Sequence, residues 1–560
     1  MMKTKIDSRS TRQSARCERL SYQRNMSRKR IASSEEARAR VLIRRRNDLS
    51  DVGVVAGQEE EEEGRRSADD DEKNKPVKVV IVGGGFGGLY CALKLDSMQW
   101  PKNKKPLISL LDANEQFLFK PLMYELLENE MDEESVAPRF DELLSKTTVT
   151  FKKREVVRVV PDVVLRTKMG TSASGTGGKV LLRNRGRAIK KNDDDDDGDD
   201  DVFEKYDYLV VALGAKVDFM SEKNFVNGAK EFAMPFNGLE DVKKMQERIE
   251  LIKNNNNNND GGGKGFEKVV TVVGAGYAGV ELALCLARWF EREDGLRDVK
   301  IKLVAKDGEI LKNATVGGKN AANKALKKAR NIEIVSGVVE SIKMVEEVGA
   351  AGEVAKFDDG KTYKKVNVSL LTGNKDDERK EIIENVDMCC WTVGLSAKLP
   401  TNENDWPFEQ DKLSGKIVTD STLKVAGYDR VFALGDNSIQ RTKEENEESS
   451  NKKNGEKPAT AQVAFQAADY CAWNVWSAIN KKSLLPFRYQ HLGDMMTLGD
   501  KEGAVQFPFG ADATLDGQPA FALRRLAYLY RMPTNEQRLK VGQKWFDEIR
   551  EGLLSGANQS

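Results

Sequence analysis

The chain of 560 residues carries 90 Lys and Arg against 89 Asp and Glu, a net charge of +1, so no global field draws it to nucleic acid. Nowhere do 18 apolar residues run together, which excludes a transmembrane helix. The six cysteines (Cys17, Cys91, Cys285, Cys389, Cys390, Cys471) form no CxxC pair and His491 is the single histidine, so a zinc site, a disulfide framework, a dithiol centre and a Ser-His-Asp triad all lack parts. Its chemistry must be carried by something bound, and no metal is expected.

Residues 1–50 are rich in Arg and Ser and poor in acids, the composition of an organelle transit peptide. Residues 51–76 read as an acidic, solvated linker. Low-complexity insertions are expected at about 168–203, 254–265, 346–364 and 441–457. What is left, roughly 400 residues, suffices for two or three domains.

The first folded stretch is "KVVIVGGGFGGLYCALKL": a β-branched apolar run, a glycine turn, then a helical pattern. Gly83, Gly85 and Gly88 have the spacing that makes a tight turn, admits a pyrophosphate to the backbone and packs helix on strand. The next apolar run, "PLISLLD", ends in Asp112, where an acid would bond a ribose 2′-hydroxyl. Strand, turn, helix, strand and acid in that order predict a dinucleotide site. Further on, "KYDYLVVALGAK" (205–216) is a buried strand ending in a small-residue turn that holds Ala212 and Gly214. "DRVFALGDNS" (429–438) is another strand, with Asp436 just past its end, placed to bond the hydroxyls of a flavin's ribityl chain.

Between these two strands lies a second cradle, "VVTVVGAGYAGVELALCLA", in which Gly274, Gly276 and Gly279 repeat the spacing. In the strand that follows, "VKIKLVAKDGEI", Ala305 takes the position held by Asp112 in the first unit, and Lys306 stands beside it. Without an acid there, the 2′-phosphate of NADPH meets no repulsion, and Lys306 could bond it. Two cradles imply two dinucleotides: FAD in the first, NADPH or NADH visiting the second.

The chain resembles the type II NAD(P)H:quinone oxidoreductases, the alternative NAD(P)H dehydrogenases, from about Lys78 to about Trp545. Besides both cradles, "FLFKPLMYELL" (117–127), "DMCCWTVGL" (387–395), "FALGD" (432–436) and "PATAQVAFQAADY" (458–470) carry the resemblance. The C-terminal "YQHLGDMMTLGD" and "LRRLAYLYRMPTNEQRLKVGQKWF" look most like the plant and algal plastid branch. The resemblance implies an α/β flavoprotein with two Rossmann-like domains, glutathione-reductase-like, and a C-terminal amphipathic segment. It places Lys120 and Pro121 beside the isoalloxazine, and Glu281 in the gap where nicotinamide meets flavin. Gly394 goes with the nicotinamide nucleotide, and Gln462 and Gln466 with the two quinone carbonyls. His491, in a loop, is expected to be structural.

The domain reading is FAD-binding 77–240 and 388–480, NAD(P)-binding 266–387, and a membrane, quinone-access and dimerisation segment over 485–560. In that segment Leu523, Leu526, Ala527 and Tyr530 share one helical face beside Arg524, Arg525 and Arg531. Thr534 and Gln537 form a capping box opening a second helix with Leu539, Phe546, Ile549 and Leu553 on one side. Such stripes suit helices lying in a membrane interface, or packing in a homodimer. The expected acceptor is a prenylquinone, a plastoquinone or ubiquinone or a naphthoquinone such as demethylphylloquinone. The expected setting is a thylakoid or plastoglobule surface, with the mitochondrion as the alternative. The rival readings are a non-catalytic NAD(P)H-sensing flavoprotein of the apoptosis-inducing-factor kind and a sulfide:quinone reductase.

Overall fold

The computed structural model describes residues 75–161, 177–182, 202–219, 225–254, 267–345, 364–373, 379–399, 406–441, 457–499, 501–508 and 513–557. The expected transit segment, nearly all of the linker and most of the insertions lie outside these residues. One expected insertion is corrected, because part of 168–203 is folded. Gly178–Leu182 is a strand lying antiparallel between Val156–Pro161 and Val202–Tyr206. Its Val180 and Leu182 alternate into the core, a two-residue period too short to stand out beside the polar tract around it.

Lys78–Val82 is the centre of a five-stranded sheet. Its Val79 to Val82 are at most 1% exposed, as a parallel strand covered on both faces must be. Leu107–Asp112 and Tyr208–Val211 flank it in parallel, with Val79 opposite both Ile108 and Tyr208. Thr150–Lys153 and Val431–Ala433 complete the edges, so the sheet takes its last strand from beyond the whole second sheet. The helix Phe86–Ser97 packs on the helix Ala461–Ile479 through small residues (Cys91, Ala92, Ala468, Cys471 and Ala472), which lets the two backbones come close.

The second sheet runs Ile332–Ser336, Lys300–Ala305, Val269–Val273 and Arg379–Trp391 in parallel, then Val366–Thr372 and Val338–Met344 antiparallel. The expected boundary at 387/388 falls inside one of these strands. Met388, Cys389 and Cys390 pair with Val270, Thr271 and Val272, so the chain leaves the second sheet only after Trp391. This is a two-dinucleotide-binding fold, the first of its two sheets being interrupted in sequence by the other.

After the helix Ala461–Ile479 a small antiparallel sheet (Asp494–Thr497, Gly503–Gln506, Thr514–Asp516) leads to two helices, Gly517–Arg531 and Asn535–Ala557. Among the described residues no helix is long and apolar enough to cross a membrane. Leu526 and Tyr530 are 62% and 70% exposed, and Leu539, Phe546 and Ile549 are equally open on the second helix, whose Val541 and Trp545 face the core. Two expectations need correction here. Arg524 and Arg525 do not flank the stripe at the surface. They are buried, Arg524 3.1 Å and Arg525 3.6 Å from the buried Glu125 carboxylate, with Arg525 also 2.8 Å from the partly exposed Glu548, because these carboxylates offset their desolvation. The capping box is only half formed. Thr534 accepts the Gln537 N–H at 3.2 Å, but the Gln537 side chain donates to the Ser135 carbonyl instead of turning back.

Candidate active site

Gly83 adopts φ +98°, and a Cβ on it would lie 2.3 Å from the Ala212 oxygen. A Cβ on Gly88 would lie 1.7 Å from the Gly83 carbonyl oxygen, so helix and strand touch there. Above Gly85, by contrast, nothing lies within 4 Å. That open space fronts a helix N-terminus with no side-chain cap and no acid in its first turn, which suits a pyrophosphate. Asp112 ends the second strand as expected, but its carboxylate is already engaged. It accepts from the Gly84 N–H at 2.6 Å and the Asn114 N–H at 2.8 Å, so the acid is held at the turn with lone pairs to spare for ribose hydroxyls.

Ala212 hangs on the Val82 carbonyl, and Gly214 takes φ +73° with its N–H 3.3 Å from the side-chain oxygen of Asn437. Asn437, fully buried, also donates to the Val211 carbonyl and so joins the Ala212–Gly214 turn to the Gly435–Asn437 turn that carries Asp436. Sequence reasoning passed over Asn437, although it directly follows Asp436. Burial raises the pKa of Asp436, against the pull of Lys120 and Lys416. Lys120 is exposed, yet its surroundings are desolvating enough to lower its pKa, opposed by Asp436 and Asp241. Its amine donates to the Asn237 side chain at 2.7 Å, and Asn237 is tied in turn to the Ala215 carbonyl and Asp241. The residues of this first cradle fit FAD.

The second cradle repeats the geometry. Gly274 has φ +106°, a Cβ on Gly279 would meet the Gly274 oxygen at 1.7 Å, and the space over Gly276 is empty to 4 Å. Ala305 is buried, its carbonyl accepting from Gly308 and Gly337. Lys306 is exposed and, among the described residues, makes no ion pair, whereas its neighbours Asp307 and Glu309 are paired with Lys312 and Lys319. Gly394, at φ +73°, accepts from the Asp218 N–H.

One cavity of about 1560 Å³ joins the second cradle to the Gln462 helix and the C-terminal helix, whereas Gly83, Gly85, Gly88, Asp112, Ala212 and Gly214 do not line it. Of the expected site residues it is lined by Gly274, Gly276, Lys306, Gly394, Pro121 and Gln462, with Phe86, Phe119 and Phe465 as apolar wall and Leu523, Ala527 and Tyr530 at the C-terminal helix. Asp436 lines a small adjoining hollow, and Glu281, Lys120 and Gln466 line neither. The Glu281 carboxylate accepts from the Thr497 N–H at 2.8 Å and from the Tyr124 hydroxyl, and burial raises its pKa against those bonds and Arg524. Both glutamines hold the loop after their helix. Gln462 accepts from the Tyr489 hydroxyl (2.6 Å) and Leu492 N–H (2.9 Å) and donates to the Gly493 carbonyl, while Gln466 exchanges two bonds with the Gln490 backbone. Each keeps one amide hydrogen unused by these bonds.

All five described cysteines are buried and free. Burial pushes the Cys389 thiol up to about 12, so the vicinal pair Cys389 and Cys390 behaves as core. A sulfide-oxidising dithiol finds no exposed partner among the described residues.

Fold and site together define a flavoprotein oxidoreductase that pairs FAD with a nicotinamide nucleotide. The pyridine nucleotide-disulphide oxidoreductase family model matches residues 77–468. The alternative NAD(P)H-ubiquinone oxidoreductase C1, chloroplastic/mitochondrial, of Arabidopsis thaliana is 39% identical over 468 residues, spanning 82% of this chain and 79% of its own. The demethylphylloquinone reductase NdbB of Synechocystis is 32% identical over 464 residues, 82% of this chain and 93% of its own. The fold is shared with NDH2 from Plasmodium falciparum in complex with NADH (TM-score 0.63, 17% identity, 84% of this chain and 98% of that one). The chain belongs to the pyridine nucleotide-disulphide oxidoreductase family and, within it, to the type II NAD(P)H:quinone oxidoreductases.

Proposed function

We propose that this protein oxidises NADPH in preference to NADH and reduces a membrane prenylquinone, working peripherally on a plastid membrane. The observation that carries this reading is the single cavity running from the second cradle, past Phe86, Phe119 and Pro121, to Gln462 and the C-terminal helix. It exceeds the range of roughly 300–1,000 Å³ usual for one ligand, which leaves room for a nucleotide and an apolar acceptor. Bound FAD supplies the two-electron relay between them.

The chain's own residues bind, orient and exclude water. The bare N-terminus at Gly276 takes the pyrophosphate, and Lys306 takes the 2′-phosphate. Lys306→Ala is expected to raise KM for NADPH about tenfold, the loss of one charge-assisted bond, and to leave KM for NADH unchanged in steady-state assays. The unused amide hydrogens of Gln462 and Gln466 are donors for quinone carbonyls, and the phenylalanine wall keeps the acceptor's surroundings dry.

The exposed stripe Leu526, Tyr530, Leu539, Phe546 and Ile549 supports membrane docking through both C-terminal helices. Burying one such side chain is worth about 1.5–3 kcal/mol. The double change Leu539→Asp, Phe546→Asp is therefore expected to lower partitioning onto lipid vesicles at least about a hundredfold in flotation, with soluble NADPH oxidation retained. The plastid assignment draws on the chloroplastic/mitochondrial relative from Arabidopsis, and the naphthoquinone option on the Synechocystis demethylphylloquinone reductase. The deciding experiment is NADPH and NADH oxidation by the FAD-loaded protein with and without a short-chain prenylquinone. Quinone-dependent turnover favouring NADPH is expected, and bleaching of the flavin without reoxidation by quinone would overturn the proposal.

A further inference from the structure

The only histidine of the chain does not stand in a bystander loop. Its Nδ1 lies 3.2 Å from the Tyr489 hydroxyl, and its Nε2 lies 3.8 Å from the Asp494 carboxylate. Tyr489 donates to Gln462, and Asp494 accepts from the Tyr277 hydroxyl at 3.1 Å. The chain Tyr277, Asp494, His491, Tyr489, Gln462 therefore runs from the first residue of the second-cradle helix to the glutamine helix, and every member lines the cavity. The single hydroxyl hydrogen of Tyr489 is committed to the Gln462 oxygen, so the contact with His491 requires Nδ1 to carry the hydrogen. Nε2 then faces either solvent or Asp494, and the imidazole side chain is 47% exposed.

We propose that His491 and Tyr489 deliver the proton that quinol formation takes from solvent, an inference that rests on the quinone-reductase reading above. NAD(P)H, one proton and quinone become NAD(P)⁺ and quinol. The nicotinamide supplies two electrons and one hydrogen, so the second quinol hydrogen must arrive as a proton. The Tyr489 hydroxyl turns from Gln462 to the quinone oxygen and gives up its proton as that oxygen gains negative charge. Water first protonates His491 on its exposed Nε2 side, the imidazolium then passes its Nδ1 proton to the tyrosine oxygen, and tautomer exchange through water returns the neutral ring to its Nδ1–H form. Asp494, 3.8 Å from Nε2, positions the ring. The titratable groups touching the His491 ring are Tyr489, Asp494 and, through Asp494, Tyr277; the other charged residues on the cavity wall are Lys306, Asp307, Glu309, Lys312 and Arg531.

Because His491 is the only imidazole, holoenzyme made with ¹³C-labelled histidine and no histidine tag gives one assignable ring signal. Its titration is expected to shift on adding a short-chain prenylquinone, and an unchanged titration would overturn the proposal. In rapid mixing, His491→Gln is expected to bleach its flavin with NADPH at the wild-type rate. Its quinone-dependent turnover should fall about tenfold, and that of Tyr489→Phe about a hundredfold. Added imidazole should restore turnover of His491→Ala. Wild-type quinone turnover in His491→Gln from about pH 6 to about pH 9 would overturn the proposal, as would a parallel loss of flavin bleaching. If the variants do not retain FAD, the wild-type ring titration decides. Wild-type enzyme with no quinone turnover at all would sink the parent reading instead.

Discussion

Gly276→Val is expected to leave the protein folded and FAD-loaded while lowering kcat/KM for NADPH and NADH alike at least about a hundredfold. The residue sits in extended backbone at φ −77°, which valine adopts readily, and an added Cβ meets no atom within 4 Å. Its branches project instead into the open space fronting the uncapped N-terminus of the helix Tyr277–Arg292, the proposed seat of the pyrophosphate. Each charge-assisted bond lost there is worth about 1.5–3 kcal/mol, so two account for the fall. Gly279→Ala provides the contrast. Its Cβ would lie 1.7 Å from the Gly274 carbonyl, so the helix must part from the strand and the fold itself suffers. The pair separates a binding glycine from a packing glycine. Flavin content, melting temperature and kinetics measured together decide the matter, and equal melting temperatures for the two variants would refute the distinction.

Arg524→Ala is expected to destabilise the protein by about 3–5 kcal/mol, lowering the melting temperature on the order of 10 °C. Arg524 and its partner Glu125 are 2% and 5% exposed at their side chains, so the substitution leaves a buried carboxylate with less compensation. Glu125 also accepts from the Trp545 indole at 3.1 Å and faces Arg525 at 3.6 Å, which sets the lower end of the estimate. Both C-terminal helices thus share one buried carboxylate, Glu125, which Arg524 and the Trp545 indole reach from either helix. Limited proteolysis should release the C-terminal segment sooner in the variant. The double change Arg524→Met, Glu125→Leu should recover most of the lost stability, because it removes both charges instead of orphaning one. If the double variant melts as low as Arg524→Ala, packing and not charge holds the segment.

Elsewhere the sequence-based expectations and the structure part company for definable reasons. The turn at Asp112 was legible because strand, glycines and acid lie within one unit. Asn437 was not, because its task of joining two turns depends on a strand pair brought together across the intervening sheet. Gln462 and Gln466, four apart on a helix, were legible as one polar face. That they first clamp the loop 490–493 depends on where that loop returns. The contacts of His491 were not legible, because neither Tyr489 nor Asp494 signals a partner by spacing alone, and Tyr277, which reaches Asp494, lies far away in the chain.

The amino-acid order by itself determined the two cradles, their glycine roles, the missing acid at Ala305 and the amphipathic stripes, since each rests on backbone sterics or periodicity within a few consecutive residues. Only the tertiary structure decided the direction of Arg524, the engagement of Glu281 with Tyr124 and Thr497, and the joining of the second cradle, Gln462 and the C-terminal helix in one cavity. A charged side chain's direction follows from the partner within reach. Desolvating Arg524 beside Glu125 is tolerable while desolvating it alone is not, and that partner stands on a helix almost four hundred residues earlier in the chain.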